Sequence, residues 1–326
     1  MKMHAWQVEE FGHYHDAMEW RETDRPTPNG SDALVKVDAI GLNFPDILMI
    51  AGKYQVRPPL PFVPGTELMG TVVEPGSDSG LAEGDRVMAM CGVGAFAEYC
   101  IAPEGARFSV PEGMSSEDAA AFQMIYQTSY FGLAVRANLQ PGEVLLVHGG
   151  AGGVGTSAIQ LGKALGAMVI ATAGTEAKME ICRQCGADHV VNYATDDFAE
   201  VVKDLTKGNG ADVVYDPVGG DVFDKSTKCI AWNGRILVIG FTSGRIPEIR
   251  TNRILLKNMS VVGLHWGAYR IHEPHLIDEA QETLYDFYRD GKIKPVIYNE
   301  YALTDLSDAL DAIEQRRSYG KIVVKP

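Results

Sequence analysis

The sequence has no long apolar run, no excess of basic residues and no regular set of cysteines. No stretch reaches the roughly 18 apolar residues that a membrane-spanning helix needs. The 29 Lys and Arg side chains are outnumbered by 43 Asp and Glu side chains, which gives a formal net charge of −14. This balance argues against a nucleic-acid or anionic-membrane surface.

The five cysteines are odd in number and irregularly spaced, which is typical of a reducing compartment rather than of a disulfide framework. Cys182 and Cys185 form a C-x-x-C pair at the end of an amphipathic helical pattern, without the second ligand pair of a zinc site. We interpret them as packing residues. The N-terminus, MKMHAWQVEEFG, carries charges and a glycine where a signal peptide has an apolar core. The sequence therefore predicts a soluble cytoplasmic protein.

The length of 326 residues exceeds what one hydrophobic core normally serves, so two domains are expected. Up to about residue 111, short strands such as ALVKVDAIGLN are separated by Gly, Pro and Asp, which predicts an irregular antiparallel barrel or sandwich. From SSEDAAAFQMIYQTSYFGL onward, six apolar strand patterns alternate with mostly helical segments, DVFDKSTKCIAW among them. This alternation predicts an α/β fold with a doubly wound parallel sheet and helices on both faces.

The tail after His265 is too short for a domain of its own and is expected to return to the N-terminal domain. We therefore predict a first domain of residues 1–125 and 266–326, and a second of residues 126–265.

A glycine-rich loop, HGGAGGVG, follows the first strand of the parallel series and opens a helix. Its G-x-G-x-x-G pattern suits a dinucleotide: the first glycine allows a tight turn, the second lets backbone N–H groups approach a pyrophosphate, and the third lets the helix pack on the strand. The helix N-terminus supplies unpaired donors and partial positive charge. The alternative is a glycine-rich turn without a ligand. The predicted contact residues are Gly150, Gly152, Gly153, Val154 and Gly155.

The second strand of this series ends without the carboxylate that usually binds the ribose 2′-hydroxyl of NAD. Residues 171–175 read Ala-Thr-Ala-Gly-Thr, with Gly174 at the turn, and Lys178 follows in the first turn of the next helix. A lysine there can pair with the 2′-phosphate of NADP, which favours NADP as cofactor; the alternative is a solvated helix lysine. Glu176 would weaken such a site if it turned inward, and we expect it to face solvent.

The motifs NFPDILMIAGKY, LPFVPGTELMGTVVEPG, GDRV, HGGAGGVG, GADHVVNY, VVYDPVGG and GRILVIGF follow in this order. The set resembles the quinone oxidoreductase (zeta-crystallin-like) branch of the medium-chain dehydrogenase/reductase superfamily. The resemblance implies a GroES-like catalytic domain, a Rossmann domain and a cofactor in the groove between them. It also implies a homodimer that pairs through the edge of the Rossmann sheet.

Zinc-dependent relatives carry a Cys after the strand that corresponds to VDAIG and a G-H-E motif further on. Here residues 41–46 contain no thiol, and Thr66 stands where the His would be. The segment CGVGAFAEYC replaces the four-cysteine lobe of structural zinc. A catalytic zinc needs three protein ligands, so we predict no metal and interpret Glu67 as structural.

Without a metal, an isolated carbonyl is a hard substrate, whereas a quinone or an α,β-unsaturated carbonyl accepts hydride readily. A hydrogen-bond donor or water can then complete the reaction. The resemblance suggests Asn43 and Tyr54 as catalytic donors, with Asn43 also close to the nicotinamide; the alternatives are turn chemistry for Asn43 and packing on prolines for Tyr54. Leu48 replaces a tyrosine of well-studied members, which predicts a more apolar pocket.

Further cofactor contacts are expected from two sources. The resemblance suggests three polar residues, and the carboxyl ends of strands, where open α/β sheets bind ligands, suggest three apolar ones. His148 is interpreted as structural, and His265 has no assigned role. The six expected contacts are Thr128, Tyr193, Arg316, Phe241, Leu264 and Trp266.

The sequence thus favours an NADPH-dependent reductase of quinones or activated enals, a small-molecule enzyme. Two alternatives remain. An enoyl-thioester reductase would need a basic rim, to which Arg57, Arg245 and Arg270 could contribute. A noncatalytic, crystallin-like nucleotide-binding protein would share the glycine loop but would not turn over.

Overall fold

A computed structural model describes residues 1–326. Fifteen strands occur along the chain: β1 Lys2–Val8, β2 Met18–Asp24, β3 Ala33–Gly41, β4 Glu67–Pro75, β5 Arg86–Met90, β6 Tyr99–Ala102, β7 Arg107–Ser109, β8 Val144–Val147, β9 Met168–Ala173, β10 His189–Asn192, β11 Ala211–Asp216, β12 Ile230–Val238, β13 Ser260–Gly263, β14 Ile297–Ala302 and β15 Lys321–Lys325. They form one two-stranded, one six-stranded and one seven-stranded sheet.

Twelve α-helices accompany the strands: α1 Tyr14–Ala17, α2 Phe44–Ile50, α3 Ser116–Ala120, α4 Gln123–Tyr130, α5 Gly153–Ala164, α6 Glu176–Gln184, α7 Phe198–Leu205, α8 Gly220–Ser226, α9 Thr251–Lys257, α10 Tyr269–His272, α11 Pro274–Arg289 and α12 Leu306–Glu314. Three further helical segments are the π-helix Phe131–Arg136 and the 3-10 helices Trp266–Ala268 and Leu303–Asp305. None of the helices combines the length and the apolar composition that crossing a bilayer demands.

The chain divides into two compact units, and the first comprises Met1–Met124 and Pro295–Pro326. Its seven-stranded sheet runs β14-β15-β3-β4-β5-β7, with β6 also paired to β3. Most neighbours are antiparallel, and two register shifts between β3 and β4 bend the sheet, as bulges do in irregular barrels. The apolar face of α12 packs into the same core as β3, β4 and β15. The GroES-like fold expected from the sequence is confirmed.

The second unit, Ile125–Lys294, is built on a parallel sheet in the order β10-β9-β8-β11-β12-β13. The strands β8 and β9 are apolar on nearly every residue because helices cover both faces of such a sheet. The strand order reverses between β8 and β11, which is the switch point where doubly wound sheets bind ligands. The doubly wound prediction is confirmed.

Two details differ from the sequence expectation. The chain returns to the first unit at Pro295 rather than at residue 266, because α11 buries its apolar face in the second unit. There the side-chain nitrogen of Gln127 donates to the Ile277 carbonyl at 3.1 Å and to the Gln281 side chain at 2.9 Å. The segment DVFDKSTKCIAW is not helical throughout: the helix ends at Ser226, and its last three residues begin β12.

Candidate active site

The glycine loop joins β8 to α5, and close contacts require two of its glycines. A Cβ atom at Gly155 would lie 2.2 Å from the Gly149 carbonyl oxygen, and one at Gly150 would lie 2.9 Å from the sulfur of Cys182. Gly149 has φ +59°, a left-handed value that favours glycine. The Gly150 N–H donates to the Thr172 carbonyl at 2.9 Å, so the loop is fixed to the end of β9.

The surroundings of Gly152 are tight but less crowded than those of these two. The nearest atom to a Cβ there would be the Gly149 oxygen, at 3.3 Å. Gly152 is the N-cap of α5 and has no side chain to satisfy the first N–H groups of the twelve-residue helix. These unpaired donors, with the positive end of the helix dipole, form an anion-binding position.

The end of β9 carries no carboxylate. After Ala173 the chain turns at Gly174, and Thr175 caps α6 by accepting the Lys178 N–H at 3.3 Å. A Cβ at position 174 would lie 2.6 Å from the Tyr193 hydroxyl, and the Tyr193 N–H donates to the Ala173 carbonyl at 3.1 Å. Gly174 therefore lets the tyrosine ring lie over the turn, close to the start of α6.

Glu176 at the start of α6 faces solvent, as expected from the sequence. Lys178 lies in the first helical turn, half-buried. The Glu176 side chain is 76% exposed and forms an ion pair with Arg183 at 2.8 Å. The Glu176 carboxylate thus pairs with Arg183 further along the helix.

The apolar residues expected at the strand ends have different environments. Phe241 is partly exposed and lies against Gly219, where a Cβ would meet its ring at 3.0 Å. Leu264 follows β13, and its N–H donates to the Val238 carbonyl at 3.3 Å. Trp266 is buried at 7% exposure, and its indole nitrogen has no hydrogen-bond partner in the protein. Phe241 and Leu264 follow adjacent strands.

Thr128 lies half-buried on α4. Arg316 belongs to the first unit, on the turn after α12, with φ +55°.

His148 is buried between the Thr172 and Ser226 hydroxyl groups, at 3.1 and 2.8 Å. Burial lowers the pKa of His148 to about 3, so the ring is neutral. Asp216, at the end of β11, accepts the backbone N–H groups of Val218 and Gly219 at 2.8 and 2.9 Å. Burial raises the pKa of this carboxyl. These hydrogen bonds indicate structural roles for His148 and Asp216.

In the first unit, Asn43 begins α2 and forms a capping box with Asp46. The Asn43 N–H donates to Asp46 Oδ2 at 2.8 Å, and the Thr66 hydroxyl donates to Asp46 Oδ1 at 2.9 Å. Burial raises the pKa of Asp46 to about 6, although these hydrogen bonds and the charge of Lys321 oppose the rise. The cap fixes the start of α2 against the strand that follows Thr66.

The side-chain amide of Asn43 is saturated inside the protein. Its Nδ2 donates to the Gly41 carbonyl and to Glu67 Oε2, both at 3.0 Å. Its Oδ1 accepts from Lys321 Nζ at 2.6 Å. Both amide hydrogens are used, so no N–H of Asn43 remains to donate to a substrate in this arrangement. The Asn43 side chain therefore stabilises the structure around it through these three hydrogen bonds.

Glu67 joins this network at its centre and holds the expected structural position. Its Oε2 pairs with Lys321 Nζ at 2.8 Å, and its Oε1 accepts the Met124 N–H at 2.7 Å. The side chains of Glu67 and Lys321 are 1% and 2% exposed. A buried carboxylate and a buried ammonium persist only when each has such partners.

Tyr54 follows α2 and packs against the same core while remaining partly exposed. Its hydroxyl makes no hydrogen bond within the chain. Burial raises the pKa of the Tyr54 hydroxyl, and the negative charge of Asp46 raises it further. The phenol is therefore protonated at neutral pH and has a proton to donate.

Comparison with known proteins gives the family of this chain. A quinone oxidoreductase-like protein 2 homolog of Nematostella vectensis is 44% identical over 298 residues, which cover 90% of this chain and 81% of that protein. The chain belongs to the quinone oxidoreductase branch of the medium-chain dehydrogenase/reductase superfamily. The resemblance read from the motifs is confirmed.

Solved members of this oxidoreductase family share the whole fold. A mycobacterial protein complexed with NADPH is 32% identical with a TM-score of 0.92, covering 99% of this chain and 100% of its own. The Escherichia coli quinone oxidoreductase, also complexed with NADPH, is 30% identical with a TM-score of 0.91 and the same coverage.

Two family models match the chain: the alcohol dehydrogenase GroES-like domain over residues 29–112 and the zinc-binding dehydrogenase over residues 153–282. The second description names zinc. The side chains of Asn43 and Thr66 lie where zinc-dependent relatives are expected to carry ligands, and both side chains make the hydrogen bonds described above. No group of three or more His, Cys, Asp or Glu side chains is arranged to hold a metal ion.

The sequence motifs did not indicate Lys321 as a residue of the site. It lies 278 positions from Asn43 along the chain, in a terminal strand that reads as an ordinary amphipathic segment. The only signal was a lysine in GKIVVKP within an otherwise apolar run. Asp46 was visible in the motif NFPDILMIAGKY but was not singled out.

Proposed function

We propose that this protein is an NADPH-dependent oxidoreductase that transfers hydride to a quinone or another activated α,β-unsaturated carbonyl, without a metal. The observation that carries the proposal is the end of β9, where no carboxylate is present and Lys178 lies in the first turn of the next helix. In this proposal residues 126–265 form the core of the NADP-binding domain, and residues 1–125 with the C-terminal strands form the catalytic domain.

The residues of the second unit fit the parts of NADPH. The N-terminus of α5 with the glycine loop suits the pyrophosphate. Lys178 and the Tyr193 ring flank the turn at Gly174 and suit the phosphorylated ribose. Thr128, Phe241, Leu264 and Trp266 are proposed as contacts to the rest of the cofactor, and Arg316 as a second cation for the phosphate. The NADPH in two solved relatives supports this assignment.

The acceptor is proposed from the chemistry of the first unit. NADPH supplies the hydride when bound, and a quinone takes up this hydride and one proton to give a hydroquinone. Asn43 and Thr66, at the positions where relatives bind a catalytic zinc, donate hydrogen bonds to Glu67 and Asp46. A conjugated acceptor suits such a site because the charge that hydride transfer creates is delocalised over the substrate itself.

Tyr54 is proposed as the donor of the proton. Its hydroxyl has no partner in the chain and its pKa is raised, so the proton is present at neutral pH. Asn43 is proposed to support the site by holding α2 in place.

The proposal is tested by measuring NADPH oxidation by the purified protein against 1,4-benzoquinone, 9,10-phenanthrenequinone, an enal and crotonyl-CoA. We expect turnover with a quinone or the enal, and no loss of it after treatment with a chelator. Tight NADPH binding without turnover of any acceptor would favour a noncatalytic protein. Turnover confined to crotonyl-CoA would favour an enoyl-thioester reductase.

Replacing Tyr54 with phenylalanine is expected to lower kcat for the acceptor by about tenfold, because water then has to supply the proton. The dissociation constant of NADPH should stay within about twofold, since Tyr54 lies outside the proposed cofactor site. NADPH oxidation followed by stopped flow in H₂O and D₂O measures the effect on turnover. A titration with NADPH measures the dissociation constant. An unchanged kcat in Tyr54→Phe would remove Tyr54 from the mechanism.

We also propose a homodimer that pairs through β13, the edge strand of the parallel sheet. An unpaired edge invites another strand, and the adjacent α9 buries none of its residues. Leu255 and Leu256 on this helix are 75% and 69% exposed, which suits an apolar contact.

The free thiols of all five cysteines support a cytoplasmic location.

Replacing Leu255 and Leu256 together with glutamate is expected to convert the dimer into a monomer, because buried charges would face each other across the contact. Size-exclusion chromatography with light scattering measures the mass. The control is Val56→Glu, an exposed apolar residue of the first unit, which should leave the mass unchanged. A single-chain mass for the unmodified protein would refute the dimer.

A further inference from the structure

Three charged side chains are buried together in the first unit: Asp46, Glu67 and Lys321, at 0%, 1% and 2% exposure. Lys321 is the only cation among them, and it comes from β15 at the end of the chain. Its Nζ contacts Asn43 Oδ1 at 2.6 Å and Glu67 Oε2 at 2.8 Å. Removing water from such a group is costly, so its retention calls for an explanation.

Lys321 and Glu67 together fix the orientation of the Asn43 amide. An ammonium can only donate, so it requires the amide oxygen on its side. The Glu67 carboxylate and the Gly41 carbonyl can only accept, so they require the amide nitrogen on theirs. With Lys321 replaced by an apolar group, the oxygen of Asn43 would lose the ammonium that donates to it at 2.6 Å.

The same residue positions the segment that leads to Tyr54. Asn43 begins α2, and three backbone hydrogen bonds continue the helical end, from Ala51 to Ile47, from Gly52 to Met49 and from Lys53 to Leu48, at 3.0, 3.0 and 2.8 Å. These bonds lead directly to residue 54. A shift of the helix start therefore shifts Tyr54.

We propose that Lys321 is a positioning residue for the reductase reaction: its ammonium sets the Asn43 amide and the start of α2, and thereby the place of Tyr54. The inference rests on the proposed function, because it assigns the effect to the proton donor of that reaction. Lys321 acts through Asn43 and is buried away from any substrate.

The charge of Lys321 also reaches Asp46. Asp46 is faced by Asn43 and Thr66 as hydrogen-bond donors. The titratable or charged groups around it are Glu67, Lys321, Tyr54 and Cys91. Lys321 lowers the pKa of Asp46, and Glu67 raises it. The two neighbours therefore shift the Asp46 titration in opposite directions, which a purely steric role for Lys321 would not do.

The kinetic test uses Lys321→Met, the double variant Lys321→Met/Glu67→Gln and the control Lys325→Met. Lys325 lies on the same strand, is 39% exposed and pairs with Glu117 and Glu300. We expect Lys321→Met to lower kcat/KM for the quinone by up to about tenfold, the same order as the loss of the Tyr54 hydroxyl itself. The dissociation constant of NADPH should change less than about threefold, and Lys325→Met should stay within about twofold in both values.

The double variant separates positioning from charge balance. It removes the ammonium and the carboxylate together, so we expect its melting temperature to recover relative to Lys321→Met. Its kcat/KM should stay low, because the Asn43 oxygen still lacks the ammonium that donates to it in the unmodified protein. A double variant with the unmodified kcat/KM would overturn the proposal, because Lys321 would then only neutralise Glu67.

The second test is independent of turnover. Carbon-13 NMR of protein labelled at the Asp side-chain carboxyl reports the titration of Asp46, whose signal is assigned by its loss in Asp46→Asn. We expect a midpoint near pH 6 in the unmodified protein, a higher one in Lys321→Met and a lower one in Glu67→Gln. Unmoved midpoints would refute the role of Lys321, whereas moved midpoints in a protein without quinone turnover would refute only the proposed function.

Discussion

Replacing Gly155 with alanine is expected to abolish NADPH binding. The added Cβ would lie 2.2 Å from the Gly149 oxygen and 2.8 Å from the carbonyl carbon of Gly150. Both are backbone atoms of the loop that would hold the pyrophosphate, so the loop and the first turn of α5 would have to separate. The proposed anion site depends on their contact, and we expect the dissociation constant to rise by at least about 100-fold.

NADPH fluorescence titration measures this affinity, and circular dichroism follows the fold. The matched control is Gly267→Ala, where a Cβ would have no atom within 4 Å and φ is not positive. Gly152→Ala provides a second comparison. Its nearest protein atom would be the Gly149 oxygen at 3.3 Å, a tight contact but a longer one than at Gly155, so we expect a smaller loss of melting temperature than in Gly155→Ala and a loss of affinity, because the added methyl group would also obstruct the ligand. Normal affinity in Gly155→Ala would refute the loop assignment.

The parallel sheet and the glycine loop could be predicted because their signals are local. Apolar runs such as VLLV and MVIATA are short, β-branched and separated by glycine, as buried parallel strands are. The glycines of the loop are required by contacts within a few residues, such as that of Gly155 with Gly149. The right-handed crossover rule then placed helices on both faces of the sheet.

The network around Asn43 could not be predicted because its partners come from distant parts of the chain. Lys321 and Glu67 are separated by 254 positions, and no periodicity relates them. The same limit explains α11: its amphipathic pattern showed an apolar face but not which unit covers it. The hydrogen bonds between Gln127 and α11 depend on the tertiary structure. Asn43 itself was found by motif, while the saturation of its amide needed the structure.

Replacing Lys178 with alanine is expected to raise KM for NADPH by about 10- to 100-fold and to change KM for NADH by less than about twofold. A charge-assisted hydrogen bond contributes about 1.5–3 kcal/mol, and only the phosphorylated cofactor would make it. Lys178 lies in the first turn of α6, where the positive end of the helix dipole adds to its attraction for an anion.

Steady-state kinetics with both cofactors at constant ionic strength measure the selectivity of Lys178→Ala. The control is Lys203→Ala on α7, a lysine paired with Glu200 at 2.9 Å on another helix, which should change neither KM by more than about twofold. A similar loss for NADPH and NADH would show that Lys178 supports α6 rather than the phosphate. The ratio of the two KM values is a direct measure of phosphate recognition.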